Sequence, residues 1–156
     1  MYPFRYVVSL RIWHPRITAE AICNRLDCEP RRKWTAGTRR ENPEGSPLPG
    51  FNETTYCSFD LEHAEEDQLV DFLKNCNDRF YALKDYFEEI RSTGGSLEYF
   101  IGWFSDTNSG STFDVELMSK LVELRIDLSI DFYGGPDHGK KRPQKRGSSR
   151  KRVLGG

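Results

Sequence analysis

Phe4, Tyr6, Val8, Leu10 and Ile12 stand at every second position of the opening segment. Successive side chains of a strand leave on opposite faces, so this spacing makes a strand with one face to bury and one left polar. The signature returns in Thr55, Cys57, Phe59 and Leu61, and again in Ile126, Leu128, Ile130 and Phe132. A chain bracketed by such strands needs cover for one side of a sheet.

The intervening segments supply that cover. Thr18 is suited to cap a helix, with Ile17 and Ile22 at the staple positions on either side of it, and Pro30 stops the helix after about Leu26. Leu69, Phe72, Leu73 and Cys76 recur at helical spacing, as do Phe80, Leu83, Phe87 and Ile90. Asn75 or Asn77-Asp78 divides the two runs, or they form one bent helix, and Gly94-Gly95 ends the second. Asp114 caps a further helix whose stripe is Leu117, Leu121 and Leu124, with Met118 and Val122 beside it. Leu97 to Phe104 is apolar on both faces, which places it centrally in the sheet. Arg31 to Gly37 is read as a short strand. Thr38 to Phe51, holding Pro43, Gly45, Pro47, Pro49 and Gly50, is read as a long polar loop, functional or loosely ordered.

The resulting order is β-α-β-β-α(α)-β-α-β. It predicts an α+β fold, a single sheet with helices packed on one face, and a ferredoxin-like (split βαβ) core with an added αβ unit.

Charge divides the chain. Of 23 Lys and Arg residues, eight fall in 134–156 with one of the 24 acids, leaving 15 bases against 23 acids upstream, a formal −8. The expected organisation is an acidic α+β globular domain over 1–135 and a basic disordered tail over 136–156. No run of apolar residues approaches a membrane span, and the N-terminus passes directly into a strand without a secretory pattern, so a cytoplasmic protein is expected. Cys23, Cys28, Cys57 and Cys76 form no CxxC pair, and His14, His63 and His138 are scattered. Packed thiols are expected, with no metal and no cofactor.

Three stretches bear a family resemblance: Tyr6 to Ile12, Ile17-Thr18-Ala19-Glu20, and Leu26-Asp27-Cys28-Glu29-Pro30 with Gly37 downstream. Together with the capped helix at Asp114–Leu124 leading into Leu128-Ser129-Ile130-Asp131-Phe132-Tyr133, they resemble the bacterial domain-of-unknown-function family numbered 4279 over about residues 5 to 133. The resemblance implies a bacterial cytosolic domain and carries no catalytic residues across.

Arg31, Arg32, Lys33 and Trp34, followed by Arg39 and Arg40, form the sharpest local cluster. They could clamp a phosphate, a nucleic-acid strand or an acidic partner through guanidinium forks and an indole face. The preferred reading is plainer: Trp34 packs at the sheet edge and the cations, solvated, balance Glu29, Glu41 and Glu44. Ser105 to Thr112 is read as a capping turn, since it lacks phosphate-loop spacing. Asp127 and Asp131 share a strand face with no base or nucleophile beside them. In the tail, Lys140, Lys141, Arg142, Lys145, Arg146, Arg150, Lys151 and Arg152 could hold any polyanion by counterion release. The closing Gly155-Gly156 is similar to ubiquitin-like ends but lacks that fold upstream.

Together these features predict a non-enzymatic protein-interaction module, with an immunity or defence association by analogy. Nucleic-acid binding through the tail is the alternative. An enzyme, the third possibility, would need a deep pocket near Trp103, Asp106 and Trp34. Oligomeric state is left open.

Overall fold

The computed structural model describes residues 3–135, so the basic segment 136–156 and its cations lie outside the described residues. Seven strands and four helices follow in the order β1 (Arg5–His14), α1 (Ala19–Leu26), β2 (Arg32–Trp34), β3 (Arg39–Glu41), β4 (Pro47–Phe51), β5 (Thr55–Leu61), α2 (Leu69–Phe80), α3 (Lys84–Ser92), β6 (Ser96–Ser105), α4 (Val115–Leu124) and β7 (Asp127–Gly134). A 3-10 turn, Tyr81–Leu83, joins α2 to α3. The fold is α+β, as the alternation of periods predicts.

Five strands form one sheet in the order β2-β5-β1-β6-β7. β1 lies antiparallel to both β5 and β6, with Leu10 opposite Phe59 on one side and Tyr99 on the other. β5 therefore sits between the two strands that α1 connects, and β1 between the two that α2 and α3 connect. β7 is added parallel to β6 through the α4 crossover, with Ile130 opposite Ile101.

Period-2 alternation decides which side chains meet the helices. Tyr6, Val8, Leu10 and Ile12 of β1, Cys57, Phe59 and Leu61 of β5, and Leu97, Tyr99, Ile101 and Trp103 of β6 are all buried on the helix-covered side. Ile22, Leu73, Phe80, Phe87, Leu117 and Leu121 close over them. Both predicted caps form. Thr18 Oγ1 accepts from the Ala21 amide at 3.2 Å, and Asp114 Oδ1 accepts from the Leu117 amide at 2.9 Å. These bonds satisfy first-turn amides that have no partner within the helix.

Three expectations require correction. The segment 38–51 is a β3–β4 hairpin, not a loop, paired from Arg39↔Phe51 to Glu41↔Pro47 across a register shift. Every residue of these two strands is exposed, so no apolar alternation could announce them. The break between the central helices falls at Tyr81–Leu83, beyond Asn75 and Asn77-Asp78, because Asn77 faces inward and accepts a hydrogen bond from Tyr99 Oη at 3.0 Å. Phe132, expected in the core, is 70% exposed, because β7 lies at the sheet border where cover runs out.

Candidate functional site

The helices leave one side of the sheet uncovered. The cross-strand registers lay its side chains out in rows. At one end Trp34, Tyr56 and Trp13 run across β2, β5 and β1, with ring centroids 4.5 Å and 5.2 Å apart. The next row holds Arg32, Ser58, Arg11, Glu98 and Asp127, and the third Asp60, Ser9, Phe100 and Ser129. Val7, Gly102 and Asp131 follow. The far end carries Arg5, Phe104 and Tyr133, whose rings stack at 4.7 Å with the Arg5 guanidinium 4.5 Å from the Phe104 centroid. Eight residues of β1 separate the two aromatic ends, about 26 Å at strand rise.

Small residues make the middle of this face hollow. Ser9, Ser58 and Gly102 are buried although no helix lies over them. A Cβ at Gly102 would stand 2.9 Å from Val7 Cγ2 and 3.2 Å from the Phe104 ring, so these two side chains close over the glycine and the hollow lies beside it, over Ser9. Arg11 lies flat on Phe100, 3.5 Å from the ring centroid, with Glu98 at 4.0 Å. Its Nε has no hydrogen-bond partner among the described residues, so stacking and the carboxylate hold the guanidinium in place. A cleft of about 460 Å³ opens here, lined by Val7, Ser9, Arg11, Arg31, Asp60 and Phe100. That is within the size range of ligand pockets.

The cluster singled out in the sequence is divided by strand alternation. Arg32 and Trp34 share the open side, 5.1 Å from guanidinium carbon to ring centroid, whereas Lys33 turns to Glu20 of α1 at 3.8 Å. Arg31 approaches Asp60 at 3.6 Å. The acids that pair with this cluster are thus Glu20 and Asp60, not Glu29, Glu41 and Glu44. Arg39 joins Arg31, Arg32, Lys33 and Trp34 along a groove of about 490 Å³ beside the hairpin. Arg40 instead donates to the Pro49 carbonyl at 3.4 Å.

The residues named for an enzyme pocket do not converge. Trp103 is buried on the helix side, stacked on Phe4 at 3.7 Å and donating Nε1–H to Ser109 Oγ at 2.9 Å. Trp34 lies on the opposite side, three strands over and in a row seven residues back, about 23 Å along the strand direction alone. Burial pushes the Cys57 thiol up to about 12 and the Cys76 thiol up to about 11, so both stay protonated at neutral pH and pack as small apolar groups. Tyr6 is likewise raised to about 12, first by burial and then by Asp67, and its hydroxyl donates to the Asp67 carbonyl at 2.9 Å. Among the described residues no three His, Cys, Asp or Glu side chains group as a metal site would require.

Phe100 and Phe104 are the second apolar phase that the sequence shows in 97–104, but that phase faces away from the helices. Trp13 and Tyr133 occupy the phase that alternation assigns to solvent, and that mismatch is the signal for them.

The fold defines a small α+β domain whose five-stranded sheet is covered by helices on one side only. By its sequence the chain belongs to the family described as Domain of unknown function (DUF4279), which it matches over residues 4–135. Neither a curated protein nor a solved structure gives a significant match. No described helix is long and apolar enough to cross a membrane.

Proposed function

We propose that the protein is a non-enzymatic, cytoplasmic binding module that docks a protein partner on the open side of its sheet. The supporting observation is the composition of that face. Trp, Tyr, Phe and Arg surround a floor of Ser and Gly, and these are the residues that contribute most to binding when a partner covers them. Its charges alternate in sign, with Arg5, Arg11 and Arg32 set among Asp60, Glu98, Asp127 and Asp131. A phosphate backbone laid along it would meet carboxylates as often as guanidinium groups. A protein surface of mixed charge meets no such conflict.

The test uses the full chain with a photo-crosslinking side chain at position 56, expressed in its own host. Capture of a defined protein should be lost in Arg11→Glu and Trp34→Ala and retained in Asn75→Lys, which alters the exposed surface of α2. Capture that survives Arg11→Glu and Trp34→Ala would sink the proposal. Nucleic-acid binding is checked by anisotropy with single-stranded RNA and DNA over a salt series. Binding lost with Arg11→Glu would reassign the face. Binding lost only on removal of residues 139–156 would assign it to Lys140–Arg152, the alternative reading.

A further inference from the structure

The two borders of the sheet differ in how they are guarded. β2 is three residues long and carries Arg32 and Lys33. β7 is eight residues long, contains no Pro or Lys, and pairs with β6 in unbroken register from Glu98↔Asp127 to Ser105↔Gly134. Its outer row of backbone donors and acceptors has no ladder partner among the described residues. A long, regular border strand is the kind to which another strand adds.

The helix-covered side of this border is apolar. Leu128 and Ile130 are half-buried, and Phe132 is 70% exposed. Above them, α4 turns its polar flank toward α2 and the start of α3, where Glu116 takes Lys74 at 2.9 Å and Glu123 takes Lys84 at 3.1 Å. The other flank of α4, facing away from α2, carries Val115, Met118 and Val122, exposed by 87%, 45% and 69%. An apolar shelf thus runs along a strand border that is unpaired among the described residues.

The sequence of β7 is complementary to itself in one register. In an antiparallel pair about a twofold axis at Ile130, Ile130 faces Ile130 of the second copy and Leu128 faces its Phe132, all on the helix side. In the other phase Ser129 faces Asp131 and Asp127 faces Tyr133, so no like charges meet; within each copy the Ser129 hydroxyl donates to Glu98 at 2.6 Å and Asp127 pairs with Arg91 of α3 at 3.1 Å. Moving the axis to Ser129 sets Asp127 against Asp131 twice, and moving it to Asp131 sets that carboxylate against itself. Alternation forbids half-steps, which would put a core-side residue opposite a solvent-side one.

We propose that the protein forms a twofold dimer by antiparallel pairing of β7 with β7 of a second copy, centred on Ile130. The two sheets become one of ten strands, and the two open faces lie side by side. The proposal is independent of what the open face binds.

Sedimentation equilibrium of the full chain over a concentration series should show a monomer–dimer equilibrium. Ser129→Asp places a carboxylate opposite Asp131 at two symmetric positions and should weaken the dimer about tenfold. Ser129→Lys should tighten it. Ile130→Cys should give a disulfide-linked dimer on oxidation that the wild-type chain and Leu128→Cys do not give, whereas mixed Leu128→Cys and Phe132→Cys chains should cross-link. Circular dichroism confirms that each variant folds. A monomer at every concentration, or β7 occupied by a strand of another protein, would overturn the proposal. So would a dimer indifferent to both charge at 129 and cysteine at 130.

Discussion

One strand, β1, presents two unlike surfaces. Tyr6, Val8, Leu10 and Ile12 are at most 5% exposed beneath the helices, whereas Val7, its neighbour on the other side, is 48% exposed. The first set is chosen for volume and fits a closed, dense interior. The second, with Ser9, Arg11 and Trp13, alternates small, cationic and aromatic groups that leave relief and charge in view. The same backbone therefore carries a packed side and an uncovered one, and substitutions should separate the two.

Leu10→Ala carries the largest expected effect. Leu10 is fully buried between Phe59 and Tyr99, and its loss should cost about 2–5 kcal/mol in chemical denaturation. If the cost matched that of an exposed position, the packed side would not be the source of stability. Gly95→Ala should follow at about 1–3 kcal/mol, since a Cβ there would stand 2.6 Å from the Trp13 carbonyl oxygen and 2.7 Å from Ile90 Cγ2.

Tyr99→Phe should cost about 1–3 kcal/mol, because it strips Asn77, only 2% exposed, of the hydrogen bond from Tyr99. Adding Asn77→Leu should recover much of that loss.

Acid should act through His14. Its Nδ1 accepts the Arg16 and Ile17 amides at 2.9 and 2.8 Å, so the neutral ring fits, with Nε2–H directed to Thr93 Oγ1. Burial, then Arg16, lowers its pKa in the folded state, against an opposing pull from Glu89. The unfolded chain binds the proton more readily. Stability is therefore full above about pH 6.5 and declines as pH falls toward the folded value. Thermal melts from pH 8 to pH 5 should show the slope, and His14→Gln should reduce it. The smallest effect belongs to the display side: Val7→Thr should change stability by no more than about 0.5 kcal/mol.

The packed side was more legible than the displayed one. Period two and period three-to-four recovered β1, α1, β5, β6 and α4, because each buries a continuous apolar stripe. Phe132 went astray for a physical reason: alternation says which residues share a side, and tertiary cover decides whether that side is dry. The β3–β4 hairpin buries nothing, so its pairing left no mark in hydrophobicity. Trp34 was picked out by the cations around it, but its companions Tyr56 and Trp13 are distant in sequence. Only the β2-β5-β1 order brings the three together.

Gly102 is where two side chains of the uncovered surface meet over bare backbone. Val7 and the Phe104 ring approach it so closely that a single added methyl group would have to pry them apart, so the seating of the far aromatic end hangs on one absent carbon.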